Sequence, residues 1–484
     1  MKKLSQLLQN TSVIRLVGSA ETTVSRLVYD SRTIEAGDCF FAVVGVQSDG
    51  HDYITAAIAK GATCVVCERE PVQPAANVTY VLVKDTNAAL ADMAAAFYDY
   101  PSRELKLVGI TGTNGKTTTV TLLYDLFRKL GYKAGLISTV VYKIDDRTIE
   151  STHTTPDTVR LNEMIREMVD AGCDYCFMEV SSHAIVQERI RGLHFAGGIF
   201  SNITHDHLDY HKTFAEYIRA KKLFFDNLPK EAFALTNIDD KNGRVMVQNT
   251  AAEVKTLSLR SMADFRCKIV EMLFDGMQLR IEGQELWVKF LGRFNAYNLL
   301  SVYAAAMLLG ADKDEVLEAM SGLHAVSGRF EYIRAANGTT AIVDYAHTPD
   351  ALENVIQTIE EIRKTDQKLF VVCGCGGNRD KTKRPEMAQI AVKYADTAIF
   401  TSDNPRHELP DAILDDMIAG LTPTDRYLRI TDRAEAIKTA VMLSHAGDII
   451  LLAGKGHETY QILGDVKHHF DDREQVGKAF GLID

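Results

Sequence analysis

The chain has 484 residues, 46% of them hydrophobic and 25% charged, with a formal charge of −11. That length predicts about three domains of ordinary soluble composition. The acidic balance, without a dense Lys/Arg run or a long apolar stretch, argues against a nucleic-acid partner, an anionic-membrane partner and a bilayer span.

The opening string MKKLSQLLQN reads as an amphipathic first helix rather than a signal peptide. Strands are expected at 27–29, 39–44 and 63–67, with helices at 54–59 and 90–98, the last ending before Pro101. A domain boundary is placed near 100. Of the eight cysteines, two pairs (Cys64/Cys67 and Cys173/Cys176) have C-x-x-C spacing inside apolar, strand-like strings. Positions three apart on a strand face opposite sides, so a shared zinc is disfavoured and buried, reduced thiols are expected. Such thiols fit a cytoplasmic protein.

An apolar run at 105–111 leads into GTNGKTTT (112–119) and then helix formers. Gly112 and Gly115 open backbone angles that let loop N–H groups converge on phosphate oxygens. Lys116 would reach the outer phosphates and the Thr117 hydroxyl a Mg²⁺ ion, which predicts use of ATP or GTP. Ile110 stands where the common P-loop has another glycine, which argues against a motor or switch GTPase. From 101 to 328, strands at 134–138, 175–180 and 197–201 alternate with helices at 158–171 and 296–309, as in a doubly wound parallel sheet, with β-like sequence at 253–290. A second α/β unit follows to 484. Its strands are expected at 340–345, 368–373, 397–401 and 448–453, with helices at 350–363, 386–395, 411–419 and 432–444.

Chemistry-bearing strings sit at the predicted strand ends. EVSSH puts Glu179 where a carboxylate can hold Mg²⁺, the alternative being a capping serine beside an incidental glutamate. NITHDHLDYH (202–211) has three histidines and two aspartates. It suits either a transition-metal site, as in a zinc hydrolase, or an imidazole near nucleotide-bound Mg²⁺. Lys221 and Lys222 fall on an amphipathic helix with Phe214, Tyr217, Ile218, Leu223 and Phe224, and are read as solvated surface charges. Asp344 is suited to a ribose hydroxyl and Arg329 to a phosphate, while Asp350 is read as a helix cap. Arg406, in DNPR, is a fork donor for a carboxylate or else a surface salt-bridge partner.

Taken together, YDSR (29–32), GTNGKTT, HTTPD (153–157), EVSSH, NITHDHLDYH, DNPR and GKGHE (454–458) resemble the Mur ligase family along nearly the whole chain. GTNGKTT alone also fits folylpolyglutamate synthetases. The resemblance implies a three-domain α/β fold. These domains are an N-terminal mixed α/β UDP-binding domain (1–100), a central P-loop-type doubly wound ATPase (101–328) and a C-terminal Rossmann-like domain for the incoming amino acid (329–484). It implies a cytoplasmic, monomeric ligase using ATP and Mg²⁺ to join meso-diaminopimelate to UDP-N-acetylmuramoyl-L-alanyl-D-glutamate. The alternatives are L-lysine as the added amino acid, or a nucleotide-switched binding protein. Lys116, Lys221, His207 and Glu179 would be catalytic, with Thr117, Glu179, His207 and an N-carbamoylated Lys221 on the metal side. Gly112, Thr113, Asn114, Gly115, Lys116, Thr117, Thr118, Asn298, Arg329 and Asp344 would contact ATP. Ser31, Gln47, Thr154, Thr155, Ser181, Gln187 and Arg189 would hold the UDP substrate. Arg379, Asp403, Asn404, Pro405, Arg406, Gly454 and Glu458 would hold diaminopimelate, whose distal carboxylate Arg406 grips.

Overall fold

A computed structural model describes residues 1–45, 48–70, 73–204, 206, 208–422 and 426–483. Three sheets organise the chain. In the first, five strands run in the order Val13–Val17, Thr79–Val83, Cys64–Cys67, Cys39–Phe41 and Leu27–Val28, antiparallel only at the first pair. The helix Ile54–Ala59 forms as expected. The helix Thr86–Phe97 starts earlier than its apolar pattern suggests, because Asp85 caps it by accepting from Asn87 N and Ala88 N. The first helix is shorter than expected. Lys2–Lys3 pair with Thr23–Val24 as strand, and only Leu4–Leu7 are helical. The helical pattern has just two buried leucines to anchor it, and strand pairing claims the residues before them.

The second sheet has eleven strands. At its centre lie parallel strands Ala134–Ile137, Tyr175–Glu179, Lys106–Thr111, Phe195–Phe200, Phe233–Asn237 and Glu253–Ser258. Phe265–Leu273 continues the parallel run at one side, antiparallel pairings follow at both edges, and separate apolar cores cover the two faces, so the sheet is doubly wound. Register does the functional work: Glu179 pairs with Ile110 and Phe200 with Thr111, so three carboxyl ends finish side by side.

The third sheet has six strands in the order Glu331–Arg334, Thr340–Asp344, Ile449–Ala453, Leu369–Cys373, Thr397–Phe400 and Tyr427–Arg429, parallel after the first. Its helices, Pro349–Ile362, Lys383–Tyr394, Pro410–Ile418 and Arg433–Leu443, match the expected ones closely. A hairpin, Tyr460–Leu463 with Val466–His469, is an addition to the sequence reading, although Gly464-Asp465 is a recognisable two-residue turn. All eight cysteines are free and buried, as small apolar residues. Among the described residues no helix is long and apolar enough to cross a membrane.

Arg433 and Asp472 tie the last two helices together as a fully buried pair, with Arg433 Nε and Nη2 donating to the carboxylate at 2.8 and 2.7 Å. Arg433 also donates to the Ala453 carbonyl at 3.1 Å, at the end of a central strand. Removing the cation strands a buried carboxylate, so Arg433→Met is expected to lower stability by about 3–5 kcal/mol. Urea unfolding followed by circular dichroism checks this; a loss below about 1 kcal/mol would contradict it.

Candidate active site

The phosphate loop leaves the strand at Thr111 and closes into the helix Lys116–Lys129. Gly112 has φ +156° and a Cβ there would lie 2.0 Å from Ser201 Oγ; Gly115 has φ +86° and a Cβ would lie 2.5 Å from Asn298 Oδ1. No other residue fits either place. Asn202 braces the loop from the neighbouring strand end, accepting from Thr113 N at 2.8 Å and Asn114 N at 2.9 Å. Lys116 Nζ folds back on the carbonyls of Gly112 and Thr113 at 3.0 and 2.8 Å, and burial pushes its pKa down. Thr118 is buried and lines the same cavity, of about 710 Å³.

Glu179 is buried where its strand ends and accepts from Thr117 Oγ1 at 2.8 Å and Thr139 N at 2.7 Å. The neighbouring Ser181 caps a short helix by accepting from Ala184 N, so the serine of EVSSH is the cap and Glu179 stands apart from it. Lys221 is not a surface charge. It is 1% exposed, donates to Gly112 O at 2.8 Å and lies over the Tyr217 ring. Helical spacing explains the correction: Tyr217, Lys221 and Phe224 fall on one face, which packs against Gly109, where a Cβ would meet the Phe224 ring at 2.7 Å. Burial and the adjacent Lys116 hold the Lys221 amine well below its ordinary pKa. Lys222 faces away and pairs with Asp226 at 2.5 Å. The Thr117 hydroxyl and Glu179 carboxylate form a hard-oxygen pair of the kind Mg²⁺ prefers, on a cavity that also takes in Asp206. His207, like Gln47, lies outside the described residues. His211 is buried, bonded to Ser182 Oγ at 2.9 Å and packed on Tyr217.

The C-terminal unit reaches into this cavity. Arg329 lies over the Tyr345 ring and donates to Thr117 Oγ1 at 3.2 Å. Asp344 accepts from Phe330 N at 2.7 Å, and burial raises its carboxyl to about 6 despite Arg329. Asp350 is not the helix cap: Thr348 caps, and Asp350 instead accepts from Asn114 of the phosphate loop at 3.0 Å.

On the other flank, Thr155 Oγ1 donates to Glu179 O at 2.8 Å and contacts Ser181 Oγ at 3.3 Å, while Thr154 accepts from Thr139 Oγ1 at 3.0 Å. Arg189 donates to Thr155 O at 2.8 Å and Gln187 Oε1 at 3.0 Å. Tyr29, half exposed, stands beside Asp157 and Arg189, where partial desolvation and the Asp157 charge push its hydroxyl up. The first unit therefore meets the cavity edge through the loop that carries Ser31, whose carbonyl accepts from Lys60 Nζ at 3.1 Å.

Asp403, Asn404, Gly454 and Glu458 converge at the carboxyl ends of the third sheet. Asn404 Nδ2 donates to Glu458 at 2.8 Å, and Gly454, at φ +116°, donates to Asp344 O at 3.0 Å. Pro405 O packs on Gly377, where a Cβ would come within 1.9 Å. Arg406 donates to Gly377 O at 3.0 Å, and burial and the nearby Arg379 lower its pKa. Among the described residues it makes no ion pair, so the surface salt-bridge alternative fails.

Three family models match in succession: "Mur ligase family, catalytic domain" at 23–98, "Mur ligase middle domain" at 110–306 and "Mur ligase, glutamate ligase domain" at 328–456. A UDP-N-acetylmuramoyl-L-alanyl-D-glutamate–2,6-diaminopimelate ligase of Cytophaga hutchinsonii is 56% identical over 474 residues, 97% of each chain. The chain belongs to the Mur ligase family. A protein of the same name from Phocaeicola vulgatus is 56% identical over 480 residues, 99% of each chain. A solved structure bearing that name is 30% identical with TM-score 0.70, covering 99% of both chains.

Two features of this Mur ligase escaped sequence reasoning. Lys455, inside GKGHE, is fully buried against Asp403, Asn404 and Glu458. Its charge argues for solvent, and no spacing in the string signals its burial. The Asn114–Asp350 bond joins residues 236 apart and leaves no local signal.

Proposed function

We propose that this Mur ligase joins meso-diaminopimelate to UDP-N-acetylmuramoyl-L-alanyl-D-glutamate, consuming ATP in the cytoplasm as a monomer, with domain boundaries near 100 and 328. The observation that carries the reading is one cavity bounded by Lys116, Glu179, Arg189, Lys221, Arg329 and Arg379, with the central unit supplying the phosphate loop and the acceptor groups and the C-terminal unit reaching in through Arg329 and Arg379. The glutamate side-chain carboxylate attacks the γ-phosphorus of ATP, ADP leaves, and an acyl phosphate remains. The amine of diaminopimelate then attacks the acyl carbon, loses a proton and expels phosphate. Lys116 and the loop N–H groups hold the charge that builds on the transferring phosphoryl group. Arg329, anchored on Tyr345 and aimed at Thr117, adds a second cation from the C-terminal unit. Arg189, Thr155 and Ser181 orient the UDP-linked acceptor, and Asp344 and Asn298 the nucleoside and loop.

Thr117, Glu179 and His207 are the residues that would hold Mg²⁺, which when bound supplies countercharge to the outer phosphates. A buried, neutral Lys221 amine is the form that reacts with CO₂, and the resulting carbamate would turn an awkward buried cation into an anionic metal ligand. The test is ADP release. Sustained release over many turnovers is expected only when ATP, the UDP-linked dipeptide and diaminopimelate are all present, and is expected to fall on stripping dissolved CO₂ and return with bicarbonate. Equally fast sustained release without diaminopimelate would refute the ligase reading, and indifference to CO₂ the carbamate.

A further inference from the structure

Lys455 is the most enclosed cation of the C-terminal loops. Its side chain is fully buried, and Nζ lies 3.2 Å from Asn404 Oδ1, 3.3 Å from Glu458 Oε2 and 3.5 Å from Asp403 Oδ1. Asn404 and Glu458 are held from a second side, and Asp403 through its main chain. Asn404 Oδ1 accepts from Ile462 N at 3.0 Å, its amide donates to Glu458 at 2.8 Å, and Gln461 Nε2 donates to Asp403 O at 2.6 Å. Lys455 is thus the hub of a polar cluster whose rim faces the amino-acid site.

Two carboxylates share this one lysine. Its charge cancels one and leaves the other for an incoming cation. Diaminopimelate brings one: besides the amine that reacts, it carries a second ammonium at its far end. We propose that Lys455 is a positioning residue that holds Asp403, Asn404 and Glu458 in place and in the charge state that receives the unreacting ammonium of the amino acid. This rests on the reading of the amino-acid site given above.

The groups facing Glu458 are Lys455, Asp403, Asn404, Tyr345, Tyr460 and Arg406, and Arg433 faces Asp403 from behind. Burial and then the Asp403 charge already push Glu458 up, against Lys455 and Asn404. Without the lysine, Glu458 is pushed up further, and a carboxyl that takes up a proton stops accepting from an ammonium. The loss is then largest at low pH and fades as pH rises.

The experiment compares wild type and Lys455→Met in ADP release with diaminopimelate varied, from about pH 6 to 9. The variant is expected to lose about tenfold or more in kcat/KM for diaminopimelate at pH 7, with the KM for ATP little changed. Its acid limb is expected to move up by about one pH unit or more. A loss equal at every pH, or none, overturns the proposal. Should Lys455→Met fail to fold, Lys455→Met with Asp403→Asn carries the test, because it restores the net charge. Recovery of a folded, ATP-binding protein supports the proposal, and an unfolded double variant overturns it. Wild-type turnover separates the two readings. If wild type uses lysine in place of diaminopimelate, the substrate assignment falls, while the same comparison with lysine still tests Lys455.

Discussion

Lys116→Ala is expected to lower ADP release by about 10²–10³-fold while leaving the fold intact. Among the described residues Lys116 donates to two main-chain carbonyls, Gly112 O and Thr113 O. Its loss therefore removes little that holds the chain together. What it removes is a cation whose amine is desolvated at the mouth of the helix Lys116–Lys129, where Glu179, Asp206 and Arg329 also act on it. A phosphate oxygen entering the loop would replace the two carbonyls as the lysine's partner, and charge developing in transfer would meet a preorganised donor. Arginine is not a substitute, because its planar fork does not fit where a compact ammonium turns back on its own loop. Single-turnover ADP release, with thermal melting as the folding control, checks the prediction. Turnover like that of wild type would remove Lys116 from the mechanism.

Much of this fold is legible in the chain because its parallel strands are short apolar runs punctuated by glycine, and its helices are capped by polar residues such as Asp157, Thr213 and Asp312. The phosphate loop is legible for a similar reason, since Gly112 and Gly115 stand where any Cβ would strike Ser201 or Asn298. Lys221 marks the limit. Periodicity identifies its helix correctly, yet charge alone suggests solvent, and only the packing of Phe224 on Gly109 reveals that the lysine's face turns inward. The contacts between units are beyond local reading altogether. Arg329 meets Thr117, and Asp350 meets Asn114, only because two sheets present their carboxyl ends to one cavity. The resemblance of the strings supplies a role for Arg329 and Thr117 but none for Asp350.

The second large effect concerns which amino acid is accepted, and it turns on Arg406. Its backbone sits at φ +52°, a strained position for a residue with a side chain, and is pinned there by Arg406 N to Ile462 O at 3.0 Å and Gly464 N to Arg406 O at 2.8 Å. The side chain threads past Gly376, where a Cβ would lie 2.9 Å from Nη1, so the loop is shaped around the guanidinium. Burial and Arg379 disfavour its charge, and the carbonyls of Gly377 and Asn404 do not neutralise it. A partly buried fork beside a second arginine is completed by a carboxylate. Diaminopimelate brings one at its distal end, whereas lysine brings none and leaves the guanidinium desolvated. That difference is worth about 2–5 kcal/mol, or roughly 30- to several-thousand-fold in selectivity. Offered both amino acids with the UDP-linked dipeptide and ATP, the enzyme is expected to yield the diaminopimelate product almost alone by mass spectrometry. Arg406→Met is expected to abolish that preference, mainly by losing diaminopimelate, with lysine use unchanged or raised because no guanidinium is then left without a partner. Equal incorporation of both by wild type would refute the assignment of Arg406, even with the phosphate loop fully active.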